Sequence, residues 1–252
     1  MTTILRRVVF LGILIGIWAV IYNLEVWPDF LFPSPGQVVK ALWTGFADGT
    51  LVKAVGVSLL RLIVGYFLAV IIGLALGLLI CSHKWWEDTL GGLIVALQSV
   101  PSIVWLPLAL LWFKMGEGAI LFVVTLGGVW TMTMGTVAGI KNVPPLLVRV
   151  GKTMGLKGLP LFWRVKLPAS VPHLITAMRL AWAFCWRALL AGELIGTGTG
   201  LGQVLMWARD LGNMALVLAI MVIIALLGML TDSLLFRRLE QRVMMRWGLN
   251  RA

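Results

Sequence analysis

Charge is what this sequence lacks. Only 12% of its 252 residues are Asp, Glu, Lys or Arg. A soluble domain carries about 25%, so half that load leaves too little polar surface to cover a body in water. With 60% hydrophobic residues and a mean hydropathy of +0.99, the default class is an all-α integral membrane protein. Cysteine is nearly absent. Cys81 and Cys185 lie in or beside apolar runs, make no metal-ligand spacing, and read as small packing residues. His83 and His173 are the only histidines, an inventory from which neither a zinc site nor a Ser/His/Asp triad can be built. Acidic residues number ten against 21 basic ones, for a net charge of +11. That excess alone would suit a nucleic-acid partner, but its distribution points elsewhere.

What is present in quantity is apolar length. A helix needs about 20 apolar residues to cross the hydrocarbon core. Five charge-free windows reach or approach that length, at residues 8–24, 62–82, 89–113, 118–140 and 211–231. A sixth stretch, 172–195, carries Arg179, Arg187 and Glu193. Six transmembrane helices are therefore expected. The first follows Arg6 and Arg7 as a signal peptide would, but it is long for that role and no small-x-small cleavage site follows it, so it reads as an uncleaved helix.

Lys and Arg set the orientation. With the N-terminus cytoplasmic, inside segments hold Arg6, Arg7, Lys84, six cations from Lys141 to Lys166 and five from Arg237 to Arg251. Outside segments hold Lys40, Lys53, Lys114 and Arg209. This bias of fourteen to four places both termini in the cytoplasm. It also accounts for the basic net charge with no nucleic acid as partner: the cations hold the topology in the lipid bilayer.

Within the spans, "GILIG" (Gly12, Gly16) and "GLALG" (Gly73, Gly77) put glycines four apart on one helix face, where they let neighbouring helices approach. Pro101 and Pro107 interrupt the third run in "QSVPSIVWLPLALLW". Each removes a helical hydrogen bond and clashes with the preceding turn. Such a break is tolerated at membrane depth where it lines a cavity or is buried in protein, and a bent structural helix is the alternative. Trp85, Trp86 and Trp112 flank predicted spans and suit the interface.

Residues 141–171 are long for a loop and crowd prolines, glycines and cations. "NVPPLLVRVGKTMG" opens with prolines suited to a first helical turn, and Leu147, Val150 and Met154 share one face at i, i+3 and i+7. Arg149, Lys152 and Lys157 fall largely elsewhere, and Gly155 terminates the helix. Pro160 stops any continuation, a second short helix is expected over 161–165, and Pro168 and Pro172 lead into the next span. A short amphipathic helix outside the bilayer either lies on anionic lipid or enters a partner's groove, and composition does not separate the two.

Spacing does more. Gly155, nine residues, then Val165, Lys166, Leu167 and Pro168 resembles the "EAA" loop of ABC-transporter permeases, which reads E-A-A, three residues, G, nine residues, I, one residue, L-P. The first half departs from it, with Arg149, Val150 and Gly151 where Glu, Ala and Ala would stand. "FLFPSPGQVVKAL" (30–42), "SLLRLIVGYFLAVIIGLALGLL" (58–79), "SVPSIVWLPLALLWFKMGEG" (99–118) and "AGELIGTGTGLG" (191–202) are similar to the permease subunits for nitrate, taurine, aliphatic sulfonates and bicarbonate.

This resemblance implies a type I importer-permease (MetI-like) fold with a cytoplasmic coupling helix at 144–155, in a bacterial-type inner membrane. It implies a second permease chain, an identical one in the simplest case, cytoplasmic ABC ATPase subunits and an external substrate-binding protein. ATP and magnesium would be held by the ATPases and no cofactor by this chain, which would not be an enzyme. The expected organisation is one permease domain over 1–252, with a first helix and external amphipathic segment (1–55), core helices (56–240) and a cytoplasmic tail (241–252). ATPase coupling falls to Leu147, Arg149, Val150, Lys152, Met154, Gly155, Leu167 and Pro168.

Other motifs fail. "GKT" at 151–153 lacks the glycine that a P-loop needs five residues earlier, where Leu146 stands. "GTGTGLG" (196–202) is out of G-x-G-x-x-G register. It reads either as an external loop that meets the binding protein or closes the pathway, or as a simple turn.

An arginine at a helix centre costs about 2.5–3.5 kcal/mol on insertion scales, so Arg179 and Arg187 are expected to face the bundle or a wet cavity. Arg187 would make a pathway electropositive and attract an anion; the alternatives are a pair with Glu193, or snorkelling. Candidate pathway residues are Arg187, Arg179, Glu193, Gln98, Ser99 and Ser102. Arg61, near an outer helix end, reads as snorkelling. The function expected is transport of a small anion. A neutral or cationic vitamin precursor as cargo, or a membrane scaffold that transports nothing, are the other readings.

Overall fold

The computed structural model describes residues 3–196 and 198–247; Thr197 of the glycine loop, Arg251 and the end of the 241–252 tail lie outside the described residues. Among the described residues there are helices and no strand. In chain order they are α1 (Thr3–Asn23), α2 (Pro35–Ala47), α3 (Thr50–Ser82), α4 (Lys84–Gln98), α5 (Ser102–Phe113) and α6 (Glu117–Lys141). Then come α7 (Pro145–Thr153), α8 (Gly158–Ile195), α9 (Leu201–Asp210) and α10 (Met214–Met245). Helices α3, α6, α8 and α10 are each long and apolar enough to cross a membrane, and α4 with α5 qualifies as one span bent by 95°. Within α1, Val8–Asn23 is a shorter apolar helix. These fall on the six stretches read from the sequence and are compatible with six crossings.

The chain forms two compact units, residues 1–58 with 198–226 and residues 59–197 with 227–252. In the first, α2 begins at a capping box: Ser34 Oγ accepts from the Gln37 amide at 3.2 Å and Gln37 Oε1 accepts from the Ser34 amide at 2.8 Å. Two of the donors orphaned at a helix start are satisfied this way. The start of α9 has glycine at its cap, Gly200, which offers no side-chain acceptor. The Ser58 hydroxyl, from α3, accepts the Leu201 amide instead at 2.8 Å. "GTGTGLG" thus ends as the first turn of a helix.

The second unit is built on α6. Inside a bilayer apolar surface gains little by leaving lipid, so helices hold together by close van der Waals packing at small residues. A Cβ on Gly73 would stand 2.7 Å from Met132 Cβ, and one on Gly77 would stand 2.5 Å from Thr136 Cβ. On the other side of α6, a Cβ on Gly127 would stand 2.7 Å from Ala188 Cβ and 3.1 Å from the Phe184 carbonyl oxygen. Glycines therefore set α6 against α3 on one face and α8 on the other. Leu62, Tyr66, Met132, Trp182 and Leu189 fill the core between. The Gly12–Gly16 pair differs: among the described residues, nothing beyond its own helix lies within 4 Å of where either Cβ would be.

The segment after α7 differs from expectation. Pro160 lies in the first turn of α8, and the short helix expected over 161–165 is no separate element, because the segment from Gly158 runs unbroken to Ile195. A π-turn over Phe162–Lys166, in which the Leu167 amide donates to the Phe162 carbonyl, widens the helix just before Pro168. That insertion relieves the clash a proline would otherwise make with the preceding turn. Pro101 does break its helix, at the 95° bend between α4 and α5.

Gly77→Val is expected to lower the thermal stability of the purified protein by about 1–3 kcal/mol, the usual cost of overpacking. Gly56→Val, with open space around it, serves as the comparison in a thermal-shift assay and should lose distinctly less.

Candidate functional site

The bend at Pro101 opens a cavity of about 180 Å³. Gln98 closes α4, Ser102 opens α5, and Arg187 of α8 faces them, with Thr131, Trp130 and Phe184 completing the wall. The guanidinium carbon of Arg187 lies 5.4 Å from the centre of the Phe184 ring, within range of a cation–π contact. Turning the helix leaves its last carbonyls in need of donors. The Ser99 amide donates to Ala96 and the Val100 amide to Leu97, at 3.2 and 3.1 Å. Three of the sequence candidates, Gln98, Ser102 and Arg187, thus share one cavity. Ser99 does not join them: its hydroxyl is exposed and donates to the Ala96 carbonyl at 2.6 Å.

Glu193 and Arg179 lie elsewhere. Glu193 does not pair with Arg187. It is 1% exposed and accepts from Arg61 Nη1 at 2.8 Å, while Arg61 Nε donates to Glu117 Oε2 at 2.7 Å. Arg61 is therefore no snorkelling residue: it is 4% exposed and joins the first turn of α6 to the last turns of α8. A buried charge costs several kcal/mol unless paired and hydrogen-bonded, so Glu193 in so apolar a chain needed a cation near it, whereas Glu117 is exposed. The isolation of Glu193 was the one signal in the sequence. Arg179 binds Asp232 through two parallel hydrogen bonds of 2.6 and 2.7 Å and Glu240 through a third of 2.7 Å. Thr176 adds a donor to Glu240 at 3.0 Å. This fork ties α8 to α10 and leaves Arg179 outside the cavity.

The segment between α6 and α8 is the second feature. Helix α7 ends as expected at Gly155, with φ +83°. The Leu156 amide donates to the Gly151 carbonyl and the Gly155 amide to the Lys152 carbonyl, both at 3.0 Å. That bond pattern is the Schellman motif, which satisfies terminal carbonyls and needs glycine at the left-handed position. At Gly151, α7 packs on the start of α8: a Cβ there would stand 2.7 Å from Leu161 Cδ1 and 3.0 Å from Val165 Cγ2. The neighbouring face is apolar and bare. Leu146, Leu147, Val150 and Met154 are 69%, 40%, 50% and 76% exposed. Leu167 and Pro168 sit half-buried in the first turns beyond the π-turn.

Comparison with known proteins gives this arrangement a context. Residues 65–245 match the family described as "binding-protein-dependent transport system inner membrane component". The putative aliphatic sulfonates transport permease of Escherichia coli K12 is 32% identical over 234 residues, 93% of this chain and 88% of that one. The nitrate import permease of Leptolyngbya laminosa is 31% identical over 231 residues, 88% of this chain and 81% of that one. Among solved structures, an inward-facing form of the methionine ABC transporter MetNI superposes with a TM-score of 0.69 at 22% identity, over 77% of this chain and 96% of that one. The chain belongs to the binding-protein-dependent permease family. It is the multi-pass inner-membrane permease subunit of an ABC importer. It is not an enzyme, and the family implies separate ATPase subunits, a substrate-binding protein and a second permease chain.

Arg61→Met would leave Glu193 buried without its guanidinium. The expected loss is about 3–5 kcal/mol, as for other broken buried pairs, seen as a large drop in melting temperature or in yield of folded protein. Asp210→Asn, which breaks an exposed pair with Arg209, should change the melting temperature little.

Proposed function

We propose that this permease carries a small anion, of the nitrate, sulfonate or bicarbonate class, through a pathway that includes the cavity at the Pro101 bend. One observation carries the reading: Arg187, Gln98 and Ser102 converge there on a break in a spanning helix. A guanidinium and two neutral polar groups in a low-dielectric setting favour an anion, because charge-assisted hydrogen bonds are about twice as strong as neutral ones. The relatives named for sulfonates and for nitrate support the same class.

Helix α7 is the coupling helix. Its bare apolar side, Leu147, Val150 and Met154, enters a groove of a cytoplasmic ATPase, while Gly151 beside it holds the helix to α8. Arg149, Lys152, Gly155, Leu167 and Pro168 shape that joint and its flanks. The cations of residues 141–166 and of α10 put this segment and the described ends of α1 and α10 in the cytoplasm. Two copies of this chain, each a single permease domain, form the pathway. Alternating access follows from nucleotide-driven closure of the ATPases biasing two packings of the helices.

Two measurements test the reading. In proteoliposomes with the ATPase and binding protein, Arg187→Gln should cut anion uptake about tenfold or more, a change of 1.4 kcal/mol or above, with normal expression. Unchanged uptake of every anionic substrate would remove Arg187 from the pathway. Val150→Glu should abolish co-purification of the ATPase, since a carboxylate cannot enter an apolar groove unpaired; retention of the ATPase at wild-type yield would remove α7 from the contact.

A further inference from the structure

A second cavity, of about 470 Å³, lies on the side of α7 away from its bare apolar face. Pro145, Val148, Arg149 and Lys152 line it from α7; they fall at i, i+3, i+4 and i+7 and so share one face. Leu147, Val150 and Met154 are on the opposite one. The remaining wall comes from the cytoplasmic ends of other helices, with Lys141 of α6, Lys166 of α8 and Glu87 of α4 among them. Four cations thus surround one carboxylate. Lys141 Nζ meets Glu87 Oε1 at 2.6 Å, so that carboxylate is already engaged and three cations remain in excess. Arg149 also stands where the loop pattern has its acidic residue, which turns this wall from mixed to basic.

We propose that this cavity binds the phosphodiester of an anionic phospholipid headgroup from the cytoplasmic leaflet. The cavity sits where α3 and α6 end, at Ser82 and Lys141, the level at which spanning helices meet headgroups. Trp85, 57% exposed and stacked edge-on to Trp86 at 4.6 Å, marks the same interface. Basic pockets between helices on the cytoplasmic side recognise anionic headgroups by charge, and the bilayer delivers phosphodiesters there at high local concentration. Because the cations come from α6, α7 and α8, one bound headgroup links the coupling helix to both of its neighbours while the apolar side stays open to the ATPase. The inference rests on the cytoplasmic placement proposed above.

The test uses the complete transporter in phosphatidylcholine nanodiscs with and without phosphatidylglycerol, with native mass spectrometry of the lipid retained. Wild type should keep phosphatidylglycerol over phosphatidylcholine. The double variant Arg149→Gln/Lys152→Gln, and separately Lys166→Gln on a different helix, should lose it several-fold, whereas Lys84→Gln, at the same interface but outside the cavity, should not. Retention by both cavity variants at the wild-type level overturns the site. Equilibrium dialysis of inorganic phosphate, in phosphatidylcholine alone, separates the sources: phosphate binding abolished by the same variants would make a free anion the ligand and overturn the lipid. A membrane-impermeant thiol reagent on Thr153→Cys, in a background without Cys81 and Cys185, keeps the two failures apart. Labelling from the outer face defeats the topology itself, while labelling from the cytoplasmic face with unchanged lipid retention defeats this site alone.

Discussion

Close approach at glycine is the constraint on which the second unit rests. Lipid tails are as apolar as leucine, so nothing drives two such helices together except contact between atoms. Gly73 and Gly77 let α3 reach the backbone of α6, and Gly127 lets α8 reach it from the other side. The same device recurs outside the spans, where Gly151 lets α7 lie on Leu161 and Val165. A packed contact with no room for a methyl group transmits displacement, because close-packed interiors are nearly incompressible. Glycine at these places therefore gives α7, α8 and the Arg187 wall of the cavity a common mechanical frame.

Charges show the complementary constraint. Arg61 and Arg179 are consumed by carboxylates within the unit, Arg61 by Glu117 and Glu193 and Arg179 by Asp232 and Glu240. Each fork joins helices far apart in sequence and so fixes which ones are neighbours. Arg187 is the intramembrane arginine that faces a cavity instead, across from Gln98 and Ser102. The division between arginines that hold helices and one that lines an opening underlies the proposed pathway.

Much of this was legible in the residues. Apolar length located the spans, and the Gly155 stop and the apolar face at Leu147, Val150 and Met154 located helix α7 and its bare side, because both depend on local periodicity and on backbone conformation. The break at Pro101 was legible for the same reason. What escaped depended on distance. Glu193 lies 132 residues from Arg61, and nothing in local pattern pairs them, so Arg187 at shorter range was the partner weighed, as an alternative to its place in the pathway. Residues 161–165 read as a short helix apart from the next span because the π-turn that joins them to Pro168 leaves no mark in composition. Gly12 and Gly16 carry the same spacing as Gly73 and Gly77, yet among the described residues only the second pair meets another helix.

The coupling ratio of a Gly151→Leu transporter tests the central claim most directly. With a leucine side chain forced between α7 and the Leu161–Val165 surface, the joint is wedged open while Leu147, Val150 and Met154 of the proposed ATPase contact keep their side chains. Reconstituted with ATPase and binding protein, such a transporter should still hydrolyse ATP, but the cargo moved per ATP should fall several-fold. A ratio equal to wild type, with the leucine in place and both activities intact, would show that motion reaches the pathway by some route other than this packed joint.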